Sequence, residues 1–77
     1  MKYEVKIHEV FAGKTRNKSF IVNKYAMTEN QWGVKKIRLY VEGKKNATYI
    51  SGEKSFQDEY EVDVYEATTG RKIESFR

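Results

Sequence analysis

The chain contains no cysteine and no proline, and His8 is its single histidine. The lack of cysteine excludes disulfides, thiolate nucleophiles and cysteine-ligated zinc. No serine lies in the glycine-framed context of a nucleophile elbow, and one histidine offers little material for a catalytic triad. We therefore expect that the protein is not an enzyme. We also expect neither a cofactor nor a metal site, because three acids along one strand do not converge as a hard cation requires.

Long apolar runs are lacking as well. The first ten residues alternate charged and apolar side chains, and no apolar stretch reaches the roughly 18 residues of a membrane-spanning helix. We therefore expect no secretory signal, no contact with a membrane and a cytoplasmic location. The 77 residues are predicted to form one small β domain, 1–77, in which folding buries only about 60% of the surface of the unfolded chain.

What the sequence does contain is a two-residue period in two segments. From 34 to 42, Ile37, Leu39 and Val41 alternate with Lys36, Arg38 and Tyr40. From 56 to 65, Tyr60, Val62 and Val64 alternate with Glu59, Glu61 and Asp63. Successive side chains of a strand point to opposite faces, so each segment predicts a strand with one buried face and one charged face. The residues predicted to share one core are Val5, Ile7, Ile37, Leu39, Val41, Tyr60, Val62 and Val64, with Asp58 exposed where the last of these strands begins.

The other segments are shorter and less regular. Residues 2–11 alternate until the period breaks, which predicts a bulge or a strand end near Glu9. Residues 12–18 are polar and basic and contain a glycine, so we interpret them as a loop. Residues 19–25 are predicted to form a strand with Phe20 and Val22 inward. In 26–32 a helical turn competes, because Thr28 is able to cap it.

Turn signals divide the rest of the chain. Residues 42–46 and 51–55 are predicted turns around a short strand at 47–51, and residues 68–71 a hairpin in which Gly70 takes a positive φ. The predicted fold is all-β: a small five- or six-stranded barrel, or a strongly bent antiparallel sheet, with at most one short helix near 26–32. Closure into a barrel is one remedy for unpaired sheet edges, and lysine-rich edge strands are another.

The charges are segregated along the chain. Residues 53–66 hold six acids and one base, whereas the other residues hold fourteen bases and five acids, for a net charge of +4. If the acidic and basic strands are neighbours, opposite charges attract across the strand pair and cancel locally. If they are not neighbours, the surface carries separate acidic and basic regions. The sequence leaves both arrangements open.

The basic segments favour a binding function. Small β domains bind single-stranded nucleic acid with cations that follow the phosphates and aromatic rings that stack on bases. The predicted nucleic-acid-binding residues are Trp32, Lys35, Lys36, Arg38, Tyr40, Lys44 and Lys45. The alternative is a protein-binding adaptor or inhibitor that acts through an exposed strand edge or through the acidic strand at 57–66. The pattern does not distinguish DNA, RNA and protein as the partner.

Overall fold

A computed structural model describes residues 2–32, 34–41, 43–47, 49–50 and 57–77. These residues form strands and contain no helix, which confirms the all-β prediction. The strands are β1 (Tyr3–Phe11), β2 (Lys14–Val22), β3 (Lys24–Glu29), β4 (Lys35–Tyr40), β5 (Tyr49–Ile50), β6 (Glu59–Glu66) and β7 (Lys72–Phe76). A helix long and apolar enough to cross a membrane is absent from these residues.

The strands form two antiparallel sheets. Sheet A has the order β2-β1-β6-β7, and sheet B has the order β3-β4-β5. The described strands do not close into a barrel, so the predicted barrel is not confirmed, whereas the predicted bent sheet fits. The bend lies at Asn23, the single residue between β2 in sheet A and β3 in sheet B. Asn23 donates its backbone N–H to the carbonyl of Tyr40, which fixes the bend against β4.

The core lies between the two sheets. Its buried side chains are Val5, Ile7, Val22, Ile37, Leu39, Tyr60, Val62 and Val64. This set confirms the inward faces predicted for β1, β4 and β6. Val41 is only half-buried because it follows the last residue of β4. Val22 is buried and Phe20 packs against the core, as predicted.

The basic segment at 12–18 is not the predicted loop. β1 and β2 are joined by a two-residue turn in which Ala12 and Gly13 have φ values of 51° and 77°. Positive φ at both central residues is typical of a type I′ hairpin turn, whose twist suits antiparallel strands. Lys14 to Lys18 therefore belong to β2, in register with β1. The described residues contain seven strands rather than five or six, because the predicted strand at 19–25 is divided between the end of β2 and the start of β3.

The predicted bulge or strand end near Glu9 is also wrong. β1 stays in register with β2 and with β6 through this position, where Glu9 is the partner of Arg16 and of Tyr60. The apolar period breaks because a carboxylate occupies an inward position. Glu9 is buried on the same side of sheet A as Val5 and Ile7.

No helical turn forms in the described part of 26–32. Ala26 to Glu29 continue β3, in which Thr28 pairs with Lys36 and donates its hydroxyl to the Lys36 carbonyl instead of capping a helix. Asn30 then makes the turn, because its side-chain oxygen accepts the backbone N–H groups of Trp32 and Val34. Hydrogen bonds from an asparagine to its following backbone are typical of turns.

The chain after residue 50 agrees with the sequence where it is described. The β6–β7 hairpin forms as predicted, with Gly70 at φ 76° and its N–H donated to the Glu66 carbonyl. β6 begins at Glu59, and Asp58 is exposed, as expected. The predicted strand at 47–51 is represented by Tyr49–Ile50. The predicted turn at 51–55 lies outside the described residues.

Candidate nucleic-acid interface

The outer face of sheet B carries a row of cations. Lys36, Arg38 and Tyr40 point away from the core because Ile37 and Leu39 point into it. Alternate side chains on a strand are about 7 Å apart, so the three side chains form a row rather than a cluster. The neighbouring strand contributes the register partners of these residues, which are Thr28, Ala26 and Lys24. Lys24 thus extends the basic row onto β3.

Arg38 lies at the centre of this row. Its Cα partners are Ala26 on β3 and Ile50 on β5, so a small side chain lies on one side of the guanidinium group. The Arg38 Nε is buried and makes no hydrogen bond in the structure. An unsatisfied buried donor costs about 1–3 kcal/mol, which an incoming acceptor can recover. A phosphate oxygen is an acceptor that arginine binds well.

Tyr40 has a partner inside the sheet. The Lys24 ammonium lies 5.2 Å from the centre of the Tyr40 ring, and the side chain is half-buried. This cation–π contact occupies one face of the ring. Tyr40 therefore has less surface for stacking than an exposed ring, and it holds Lys24 in place beside the basic row.

Trp32 lies at the other end of β4, in the turn between β3 and β4. Its side chain is 76% exposed, and Asn30 holds the backbone of the turn. The six residues of β4 span about 17 Å. The two predicted aromatic residues therefore flank the basic row at opposite ends instead of forming one patch.

The remaining predicted site residues are distributed around this row. Lys35 has the parity of Ile37 and pairs with Glu29, so it lies on the opposite face from Lys36. Lys44 and Lys45 are exposed and follow β4 at its Tyr40 end. The structure thus groups Lys36, Arg38 and Tyr40 on one face. It puts Lys44 and Lys45 at one end of that face and Trp32 at the other.

The acidic side chains of β6 are neighbours of β1 and β7, not of β4. Asp63 lies 3.1 Å from Lys72 and accepts a 2.8 Å hydrogen bond from Ser75. Glu61 lies 3.1 Å from Arg77. Burial by itself raises the pKa of the Asp63 carboxyl, but the hydrogen bonds from Ser75 and Lys72 hold that pKa below its usual value. Asp63 and Glu61 of β6 are therefore matched by Lys72 of β7 and by Arg77, which follows β7.

Sequence reasoning missed two contributors to this surface. Lys24 joins the basic row only through the β3–β4 register, which the sequence does not give. Asn30 shapes the turn that presents Trp32, and its place three residues before Gly33 was a turn signal. A second basic row was hidden in the segment interpreted as a loop, since Lys14, Arg16 and Lys18 occupy alternate positions of β2.

Within the described residues, no three acidic or histidine side chains are grouped closely enough to hold a metal ion. His8 instead forms a 2.7 Å hydrogen bond between its Nδ1 and the side-chain oxygen of Asn17. No protein-family model matches the chain, and no characterised protein and no solved structure shows significant similarity to it.

Proposed function

We propose that the protein binds single-stranded nucleic acid through the outer face of β3 and β4. The observation that carries this proposal is the separation of charges between the sheets. Two acids of β6, Asp63 and Glu61, are paired with Lys72 of β7 and with Arg77, which follows β7. Lys36 and Arg38 lie in sheet B and form no ion pair with another described residue. Their charges are therefore free to attract phosphates.

The spacing and the positive charge of the basic row suit contacts with the phosphate backbone of a nucleic acid. Lys24, Lys36 and Arg38 follow the phosphates, and the exposed Trp32 stacks on a base at one end. A sheet face favours a single strand, because stacking requires bases that are not paired and enclosed in a duplex. Lys44 and Lys45 extend the basic surface beyond Tyr40. Stacking on one aromatic ring contributes about 1–3 kcal/mol.

Titration with a fluorescent oligonucleotide at several salt concentrations tests the electrostatic part. Neutralising about four phosphates of a single strand gives a slope of about −3 in a plot of log affinity against log salt. The double variant Lys36→Glu with Arg38→Glu should bind much more weakly and show a shallower slope. The matched control is Lys2→Glu with Arg71→Glu, which makes the same change in net charge. Both residues are exposed and directly precede strands of sheet A, β1 and β7.

The comparison of the two double variants distinguishes binding at the β4 face from a general effect of net charge on binding. Equal losses in the two double variants would show that net charge alone drives binding, and the β4 face would then have no special role. Absence of binding by the unmodified chain at low salt would contradict the proposed function.

Because Trp32 is the only tryptophan, its fluorescence reports the stacking step directly. We expect quenching by the oligonucleotide, and Trp32→Ala should weaken binding by about 1–3 kcal/mol.

The second candidate is a protein partner that adds a strand to a sheet edge. The open sheets favour it, because β2 and β7 each form an edge of sheet A. Such an edge offers backbone hydrogen bonds to an extended peptide. β6 lies inside the sheet with a neighbour on each side, and its acids Asp63 and Glu61 are already paired, so the acidic strand is the weaker candidate surface for a partner.

A further inference from the structure

β2 is an edge strand of sheet A, and its residues 14–19 are exposed on both faces. An edge strand directs the N–H and C=O groups of alternate residues away from its neighbour, where no strand of the sheet pairs with them. β2 pairs with β1 at nine consecutive positions without a bulge, and the chain has no proline that would remove a donor. Residues 14–19 therefore offer about 20 Å of regular edge to a further strand.

β7, the other edge of sheet A, is less open to pairing. Its register with β6 shifts near Val64, and an irregularity of this kind twists an edge away from an incoming strand. Two of its five residues are also engaged, Lys72 by the Asp63 carboxylate and Glu74 by the Tyr25 hydroxyl. β2 is therefore the better edge of sheet A for a partner.

The two faces of the β2 edge differ in charge. Lys14, Arg16 and Lys18 occupy every second position on one face, about 7 Å apart. None of the three forms an ion pair with another described residue. On the opposite face the side chains are uncharged, and Asn17 is hydrogen-bonded to His8 of β1. The edge thus presents one row of positive charges with the two-residue period of a strand.

This row of cations repels a second copy of the chain. Directly opposite residues of two paired strands lie on the same face, so a symmetric antiparallel pair of β2 strands would place the cations of one copy against those of the other. Like charges directly opposite are destabilising, and lysines on an edge strand are a known protection against self-association. The protection depends on the sign of the charge, so it does not act against a strand that carries acids.

We propose that β2 accepts an antiparallel strand from a protein partner, with aspartate or glutamate at every second position facing Lys14, Arg16 and Lys18. Backbone hydrogen bonds supply the affinity, and the alternating acids supply the specificity. A nucleic acid suits this edge less well, because it has no peptide groups with which to continue the ladder of the sheet. The interaction rests on the strand addition named above as the second candidate function, and it is independent of nucleic-acid binding by sheet B.

The probe for this interaction is a peptide of about ten residues in which glutamate alternates with threonine, a length that covers the exposed edge. Titration into the full chain is followed by the backbone amide signals in NMR. Signals of residues 14–19 should shift and those of β7 should not, and alternate amides of 14–19 should gain protection from hydrogen exchange. A peptide of the same composition with its glutamates in one block has the same charge without the period. It should bind more weakly, and equal binding would overturn the proposed recognition.

Two N-methylated forms of the alternating peptide distinguish strand addition from attraction between charges. One carries the methyl groups on the glutamate nitrogens, and the other carries them on the threonine nitrogens. The N–H groups of alternate peptide residues point toward β2, so one form should lose binding and the other should keep it. Equal binding by both forms would overturn strand addition, because charge attraction does not require particular backbone N–H groups.

The variant Lys14→Glu with Lys18→Glu tests the cations. It should bind the alternating peptide about 4-fold more weakly or worse, because attraction at two cross-strand positions becomes repulsion. It should also bind the corresponding peptide that has lysine in place of glutamate. The matched control is Lys36→Glu with Arg38→Glu, which makes the same change in net charge in sheet B and should bind the alternating peptide normally. Equal losses in both variants would contradict recognition at β2. If the β2 variant does not fold, the two methylated peptides decide on the unmodified chain.

An all-thymine oligonucleotide separates this interaction from the proposed nucleic-acid binding. It should bind together with the peptide, and Lys14→Glu with Lys18→Glu should weaken it no more than Lys2→Glu with Arg71→Glu does. Peptide binding without oligonucleotide binding would leave the β2 edge and remove the proposed function, and the converse result would remove the edge interaction alone. If the oligonucleotide displaces the peptide and requires the two lysines of β2, the row binds phosphates and strand addition is refuted.

Discussion

Leu39 shows how much a single residue contributes to so small a core. It is fully buried between the sheets, and 77 residues leave little other core to compensate. We expect Leu39→Ala to lower the free energy of unfolding by about 2–5 kcal/mol, a large fraction of the stability of a small domain. Urea unfolding followed by circular dichroism measures this change. Ile21→Ala is the control, because truncation of an exposed side chain should change stability by no more than about 0.5 kcal/mol. Similar losses in both variants would contradict the assigned core.

Tyr25 makes the stability of the protein depend on pH. Its hydroxyl donates to the Glu74 carboxylate across the two sheets, and its ring contacts Tyr3 edge to face at 5.2 Å. Burial, with the hydrogen bond to Glu74 and the charge of Glu74, raises the pKa of Tyr25 to about 12. Since the neutral phenol is the favoured form, the stabilising contribution is complete below the unfolded pKa of about 10. It is lost as the pH rises from there through about 12.

Comparison with Tyr25→Phe isolates this contribution. At neutral pH the variant should be less stable by about 0.5–1.5 kcal/mol, the net value of one hydrogen bond, and the partial exposure of the side chain favours the lower end. The difference should shrink as the pH rises past about 10. Unfolding curves of both proteins across this range provide the measurement. A difference that stays constant with pH would show that the hydrogen bond to Glu74 does not carry the effect.

At the scale of the element, strands with a buried face were predictable and the edge strand was not. β4 and β6 each bury alternate side chains, so apolar residues recur at every second position of their sequences. Lys14 to Lys18 of β2 are exposed on both faces and carry no such pattern. Their strand conformation comes from backbone pairing with β1. The helical turn at 26–32 was wrongly predicted for the same reason. No residue of β3 is fully buried, and the pairing of β3 with β4 determines its conformation.

The β1–β2 turn supports a prediction at this scale. Ala12 adopts φ 51°, a left-handed conformation that costs an ordinary side chain roughly 1–2 kcal/mol. Asparagine tolerates this conformation and is preferred before glycine in type I′ turns. We expect Ala12→Asn to stabilise the protein by about 0.5–1 kcal/mol, as seen in the urea midpoint. Ala67→Asn is the matched control, since Ala67 is exposed in a turn without a positive φ. An equal gain at Ala67 would refute the conformational explanation.

At the scale of the whole molecule, the strand order decides the candidate site, and local sequence does not contain it. β6 pairs with β1 although 47 residues, 12 to 58, lie between the end of β1 and the start of β6. That pairing brings Asp63 beside Lys6, and β7 then supplies Lys72. The composition of each strand was sufficient to propose Lys36 and Arg38 as ligand-binding residues. Whether the acids of β6 neutralise them depends on long-range pairing, which alternation along one strand cannot reveal.

The shared core predicts that the two sheets unfold together. Ile37 and Leu39 of sheet B pack in one cluster with Val5 and Val62 of sheet A, so sheet B has no separate core to stabilise it alone. We expect the slowest-exchanging amides of β4 and β6 to give the same free energy of opening by hydrogen exchange, equal to that of global unfolding. Leu39→Ala should lower both values equally. If β4 exchanged at a lower free energy while β6 stayed unaffected, sheet B would open independently, and the basic row would be presented by a separately mobile layer.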